Sequence, residues 1–240
     1  MRRQRRGRLH RLVARRPRLR RRALAQGTTR LKEKEPGPHF DFERERHGLG
    51  ARWVAGVDEV GRGPLAGPVA VAAVILDPHD LPDGVQDSKT LSAACREELS
   101  RSILDKALGV AIAFASAREV DAFNIRMATL RAMARALSAL ALTPDFALID
   151  GRDVPDGLCC PAQALVGGDG LSLSIAAASI VAKVARDALM TRLHAHYPQY
   201  GFASHVGYAT RAHIEALARW GPSPLHRRSF HPKALESDSD

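Results

Sequence analysis

Eight consecutive apolar residues, Val69 to Leu76, lie between Gly67-Pro68 and Asp77-Pro78. The run is rich in Val and Ala with no polar interruption, the mark of a strand covered on both faces. A chain with such a strand must supply packing layers on both sides of a sheet. It is also the longest apolar run present. At eight residues it falls far short of the ~20 that a membrane-spanning helix needs, which excludes membrane insertion. Shorter apolar runs at Trp53–Val57, Gly109–Ala115, Phe146–Ile149 and Ala162–Val166 read as further strands. Helical spacing runs from Ser92 to Leu108 with Ser92 as N-cap, from Asn124 to Leu142 ahead of Pro144, from Leu173 to His194, and over a short stretch near His213–Arg219. Strands interleaved with helices predict an α/β domain.

The charge is distributed unevenly. Residues 1–32 hold 13 Arg and Lys32 with no acid, so this stretch carries +14 in a chain whose net charge is +10. The remaining residues hold 22 basic and 26 acidic side chains. The basic character therefore belongs to a tail. With no aromatic and few large apolar residues, that tail cannot offset the entropy of ordering and is expected to be disordered. Three readings fit it: an arm that neutralises nucleic-acid phosphates, a cleaved organelle-targeting segment, or an extension without function. Glu33 to Gly50 reads as a linker with one short helical turn, which places the folded domain at residues 51–233 and leaves 234–240 as a disordered acidic tail. Three cysteines, Cys95, Cys159 and Cys160, can build neither a disulfide framework nor a CxxC metal site. That usage points to a reducing, cytoplasmic compartment.

The acids carry the chemistry. Asp58 and Glu59 follow directly on an apolar strand and precede a Gly-rich turn, Asp150 ends another strand, and Asp169 lies between Gly168 and Gly170. Open α/β sheets place their sites at such strand ends. Carboxylates are ionised at neutral pH, so four converging ones repel one another unless cations neutralise them. Oxygen ligands without His or Cys select Mg²⁺ or Mn²⁺, and two such ions ~3.5–4 Å apart suit in-line phosphodiester displacement. Asp150 also has a plainer reading as a turn former or N-cap, and Asp169 as a turn residue, whereas adjacent acids such as Asp58-Glu59 at the mouth of a buried strand have poor packing reasons to be there. Pattern alone thus reaches a metal-dependent α/β enzyme and goes no further.

The stretch Val54-Ala-Gly-Val-Asp-Glu-Val-Gly-Arg-Gly-Pro-Leu-Ala-Gly-Pro-Val69 resembles the opening signature of bacterial ribonuclease HII, the type 2 ribonuclease H. Further matches follow in the family's order: Asp87-Ser88-Lys89, Asn124-Ile125, Leu148 to Gly151, Gly168-Asp169, Ser174 to Asp187, Tyr200 to Phe202, Gly207-Tyr208, Gly221-Pro222 and His226 to Phe230. The resemblance covers residues 53–232 and omits the basic tail. It implies a ribonuclease H-like mixed five-stranded sheet with flanking helices and a helical C-terminal extension.

The resemblance further implies an endoribonuclease that cleaves the RNA strand of RNA–DNA hybrids. It would also incise on the 5′ side of single ribonucleotides in duplex DNA, leaving 5′-phosphate and 3′-hydroxyl ends with two divalent ions, Mn²⁺ or Mg²⁺. The metal carboxylates map onto Asp58, Glu59, Asp150 and Asp169. Asp187 is the rival for the fourth place, though beside Lys183 and Arg186 it also reads as ion-paired. Gly61, Arg62 and Gly63 match the loop that senses the ribose 2′-hydroxyl through its backbone, and glycines do let main chain approach a sugar closely. Tyr208 matches the tyrosine that packs on the adjoining deoxyribose, and Lys89 is a candidate phosphate contact that reads equally as a solvated lysine. The histidines, His213 and His226 among them, read as structural or phosphate-facing rather than as metal ligands.

Two positions depart from the family pattern: Gly167 and Val206 stand where lysines are usual. Both changes remove positive charge from the expected substrate face. A monomer is expected. The competing readings are a non-catalytic nucleic-acid-binding protein and another nuclease of the same fold.

Overall fold

The computed structural model describes residues 37–86 and 88–230. Asp87 and both charged tails lie outside the described residues. Three strands meander: β1 (Val54–Val60), β2 (Val69–Ile75) and β3 (Gly109–Ala115), paired antiparallel. Two more, β4 (Phe146–Asp150) and β5 (Ala162–Leu165), join on the other side of β1 in parallel. The order is β3-β2-β1-β4-β5, the mixed five-stranded sheet expected.

β2 is buried at every position, and the reason is visible in what covers it. Alternate strand residues face opposite sides of a sheet. Val69, Val71, Ala73 and Ile75 pack with Ala128, Ala132, Ala136 and Leu137, all on helix α3 (Ala117–Ser138) once α1 (Asp41–Gly48) and α2 (Ala93–Lys106) have preceded it in the chain. Ala72 and Val74 pack on the other side with Ala177, Val181 and Ile103, which α4 (Leu173–His194) and α2 supply. The helices α5 (Phe202–His205) and α6 (Arg211–Trp220) form the C-terminal extension. Among the described residues no helix is long and apolar enough to cross a membrane.

Helix α4 lies unusually near the sheet. A Cβ on Gly56 would overlap the Ser174 backbone, so glycine in the middle of β1 is what lets the Ala-rich helix settle there. Ser92 caps α2 as expected, its side chain accepting from Cys95 N. The helix expected to begin at Asn124 begins at Ala117 instead, on a capping box formed by Ser116 and Glu119. It is interrupted at Asn124 (φ 62°), whose Oδ1 accepts from Met127 N. Asn124 therefore caps the second segment, and the expected boundary is an internal break.

Over the described residues 37–50 the linker reading needs correction. Residues 41–48 form α1, a full two-turn helix, and its Glu43 is wholly buried. That carboxylate accepts from Ser172 Oγ at 2.6 Å, from Ser174 N at 2.9 Å and from Ser174 Oγ. It sits at the amino end of α4, where unpaired N–H groups and the helix dipole favour negative charge.

Candidate active site

The sheet's connectivity brings the acids together. β1 and β4 are parallel with Val54 opposite Phe146 and Val57 opposite Ile149. In that register the next positions along are Asp58 and Asp150. Asp150 ends β4, whereas Asp58 and Glu59 lie inside β1, which runs on to Val60 instead of ending at Val57 as expected. One carboxylate oxygen each from Asp58, Glu59 and Asp150 lies within 4.8 Å of the others. These three share a cleft of about 460 Å³ with Asp169, Ser88, Lys89, Arg96, Ser179, Lys183 and Tyr208.

Electrostatics in this crevice oppose the charges. Burial, then Glu59 and Asp150, push the Asp58 carboxyl well above the ordinary carboxylate range, against hydrogen bonds from Ser179 and Glu59 N. Burial also raises Glu59, although Arg62 Nη1 at 3.1 Å pulls it the other way. Burial raises Asp150, opposed by the Gly168 N–H that donates to its Oδ1 at 2.7 Å. Glu59 Oε2 is buried without a hydrogen-bond partner, an uncommon state for a carboxylate oxygen in a packed domain. Three clustered carboxylates, one with an unpartnered oxygen, are a donor set that a hard divalent cation fits.

Asp169 lines the cleft in the short turn Gly168–Gly170 and is 8% exposed. Its Oδ2 lies 2.7 Å from Lys89 Nζ, so two residues assigned separate expectations face each other as an ion pair. Asp187 pairs with Lys183 at 2.8 Å, in line with its plainer reading.

Gly61 has φ +88°, and a side chain there would strike Arg186. Gly63 has only the Tyr208 ring edge near the place of a Cβ, at 3.9 Å, so Gly61–Gly63 presents backbone next to Tyr208, which is 43% exposed. Two buried arginines fasten this region. Arg227 donates to the carbonyls of Gly61, Arg62 and Gly67, and Arg186 to those of Ala66, Pro68 and Val206.

Pattern reading did not single out Ser179 or Arg96. Ser179 is a polar residue on an otherwise Ala- and Ile-rich stretch of α4, and that contrast was its available signal. Arg96 donates to the carbonyls of Ser88 and Leu91, a contact that only the folded loop creates.

Fold and carboxylate cluster define a divalent-metal-dependent nuclease of the ribonuclease H kind. The sequence model of the family described as ribonuclease HII matches residues 55–233. Ribonuclease HII of Brucella ovis is 56% identical over 196 residues, covering 81% of this chain and 89% of that protein. Ribonuclease HII of Rhizobium johnstonii is 55% identical over 195 residues, covering 81% and 85%. The crystal structure of ribonuclease H2 from Pyrococcus horikoshii OT3 superposes with a TM-score of 0.65 at 27% identity, over 75% of this chain and 94% of that one. This chain belongs to the ribonuclease HII family, metal-dependent endoribonucleases that act on RNA–DNA hybrids.

Proposed function

We propose that this protein, besides cleaving the RNA strand of hybrids, incises duplex DNA on the 5′ side of single embedded ribonucleotides, leaving 5′-phosphate and 3′-hydroxyl ends. Asp58, Glu59 and Asp150 hold Mn²⁺ or Mg²⁺, with Asp169 as the fourth carboxylate on a second ion. The observation that carries this is the three-carboxylate cluster with its unpartnered Glu59 Oε2. Bound divalent cations supply the charge that makes water a competent nucleophile at neutral pH and offsets charge developing on the leaving 3′-oxygen. The chain's own groups do the rest. The Gly168 N–H orients Asp150, Ser179 and the Glu59 N–H orient Asp58, and Arg62 orients Glu59. Gly61, Arg62 and Gly63 bring main-chain groups against the ribose, where the 2′-hydroxyl is the only mark of RNA. Tyr208, half-exposed beside Gly63, packs on the adjoining deoxyribose. Lys89 serves a substrate phosphate when it leaves Asp169.

Three free cysteines support a reducing, cytoplasmic setting, and we read the protein as a monomer. The test is cleavage mapping on a duplex carrying one ribonucleotide, with and without chelator, for the native protein and Asp150→Asn. A cut 5′ to the ribonucleotide that chelator abolishes is expected. Loss of a residue behind a metal's direct ligands already costs about 10–100-fold, so Asp150→Asn should lose more than about a hundredfold while still binding the duplex. Native-like turnover by Asp150→Asn would contradict the assignment, and a cut only within runs of ribonucleotides would contradict the substrate.

A further inference from the structure

Three histidines of the C-terminal extension lie buried against one another, away from the carboxylates. The rings of His205 and His213 stack with centroids 4.5 Å apart, and those of His213 and His226 are 5.1 Å apart. Backbone partners settle where their protons sit. His226 Nδ1 faces the Ser223 N–H at 2.9 Å, so it accepts, and in the neutral ring the proton is on Nε2. That Nε2 lies 2.9 Å from His213 Nε2, which must then accept, leaving the His213 proton on Nδ1. His213 Nδ1 in turn lies 2.8 Å from the Tyr208 carbonyl, the acceptor it requires. His205 is fixed the same way: Nδ1 accepts from Gly207 N and Nε2 donates to the Tyr200 carbonyl. Only one set of neutral tautomers satisfies all three rings.

The hydrogen bonds therefore run one way, from Ser223 through His226 and His213 into Tyr208. They end on strained chain. Val206, a β-branched residue, has φ 45°, a conformation such residues rarely adopt. Gly207 has φ +90°, and a side chain there would overlap the Ala66 carbonyl. Strain of this kind persists where the surroundings over-determine the backbone. The neutral state is also the stable one here. Burial, then His213, holds His226 down to about 4, and burial lowers His213 from its ordinary value.

We propose that His213 and His226 are positioning residues for Tyr208, and that the directed hydrogen-bond chain from Ser223 sets the enzyme's preference for a deoxyribose next to the ribonucleotide it cuts. This rests on the reading of Tyr208 given above and extends it to side chains that never meet the substrate. The experiment measures the rate ratio between a duplex with one embedded ribonucleotide and a uniform RNA–DNA hybrid. The proteins compared are the native one, His226→Phe, His226→Gln, Tyr208→Ala and the double variant Tyr208→Ala/His226→Phe.

Phe keeps a ring and removes the donor, whereas the Gln amide nitrogen can take the place of Nε2–H. We expect His226→Phe to lower the ratio about tenfold, the worth of one hydrogen bond of ordinary net strength, and His226→Gln to restore most of it. In the Tyr208→Ala background His226→Phe should change nothing further, because the two act through one element. A ratio unchanged in His226→Phe while Tyr208→Ala lowers it, or full additivity of the two, overturns the inference alone. An unchanged ratio in Tyr208→Ala overturns the reading of Tyr208, and this inference with it. Nitrogen-15 NMR of the native protein adds a test that no variant's folding affects. The expected tautomers at neutral pH are Nε2–H for His226 and Nδ1–H for His213, and the reverse pair overturns the chain of hydrogen bonds.

Discussion

Asp58 is 4% exposed and shares its crevice with two more carboxylates, so its ionised form is held there at a cost in stability. Its raised pKa gives the sign. A carboxylate whose folded pKa lies above its unfolded value contributes stability that is complete below the unfolded value and lost as pH rises through the folded one. At neutral pH without metal, the cluster therefore works against folding, and cations that bind the ionised form should reverse this. Asp58→Asn should make the metal-free protein more stable at pH 7, because it removes a buried charge whose ionised form is disfavoured in the fold, while abolishing cleavage. Thermal unfolding checks this; a less stable variant would contradict it. Added Mn²⁺ should raise the native protein's melting temperature at pH 7 and do so progressively less as the carboxylates take up protons on acidification. Asp150 was legible in the sequence because it ends a buried strand, where a side chain leaves the core; Asp58 and Glu59 were legible as adjacent acids on an apolar run, but they lie inside β1 and not after it. The Lys89–Asp169 pair was not, since its partners are brought together only by the packing of separate loops. The hydrogen bond shared by His213 and His226 was not legible either, because it depends on the C-terminal chain folding back.

Among the elements, β2 to β5 and α4 could be read to within a residue because apolar runs and Ala-rich helical spacing are strong, local signals, whereas β1 runs three residues past its expected end at Val57, through the two acids. Helix α1 could not. Its sequence, Asp41 to Gly48, is mostly charged, and what holds it is a buried carboxylate at the start of another helix together with Phe40 and Phe42 packed into the core, with no apolar stripe along the helix. Glu43→Ala should leave the Ser172 and Ser174 hydroxyls and the Ser174 N–H without their acceptor. Unsatisfied buried groups of this kind cost about 1–3 kcal/mol, a fall of several degrees in melting temperature for a domain this size. Hydrogen exchange at the first turn of α4 should rise with it. A variant as stable and as protected as the native protein would show that α1 is dispensable to the fold. The early start of α3 escaped sequence reading for a related reason: Asn124 carries the features of a helix cap, and it is one, with a further helical segment before it.

For the molecule as a whole, the charge is divided between a tail of +14 and a remainder with more acids than bases. We propose that residues 1–32 neutralise substrate phosphates that the domain does not reach. Binding of a catalytically inactive Asp150→Asn protein to a hybrid duplex, measured over a range of salt with and without residues 1–36, tests this. Removing the tail should flatten the slope of log K against log salt by ~0.9 for every phosphate it neutralises. An unchanged slope would make the tail irrelevant to binding.

Cleavage by this site requires cations in the space bounded by Asp58, Glu59 and Asp150. A crystal soaked in manganese and measured at the manganese absorption edge locates such ions directly. Anomalous density between those three carboxylates is the result predicted. An empty cluster at saturating manganese, with the three side chains still facing one another, would contradict it.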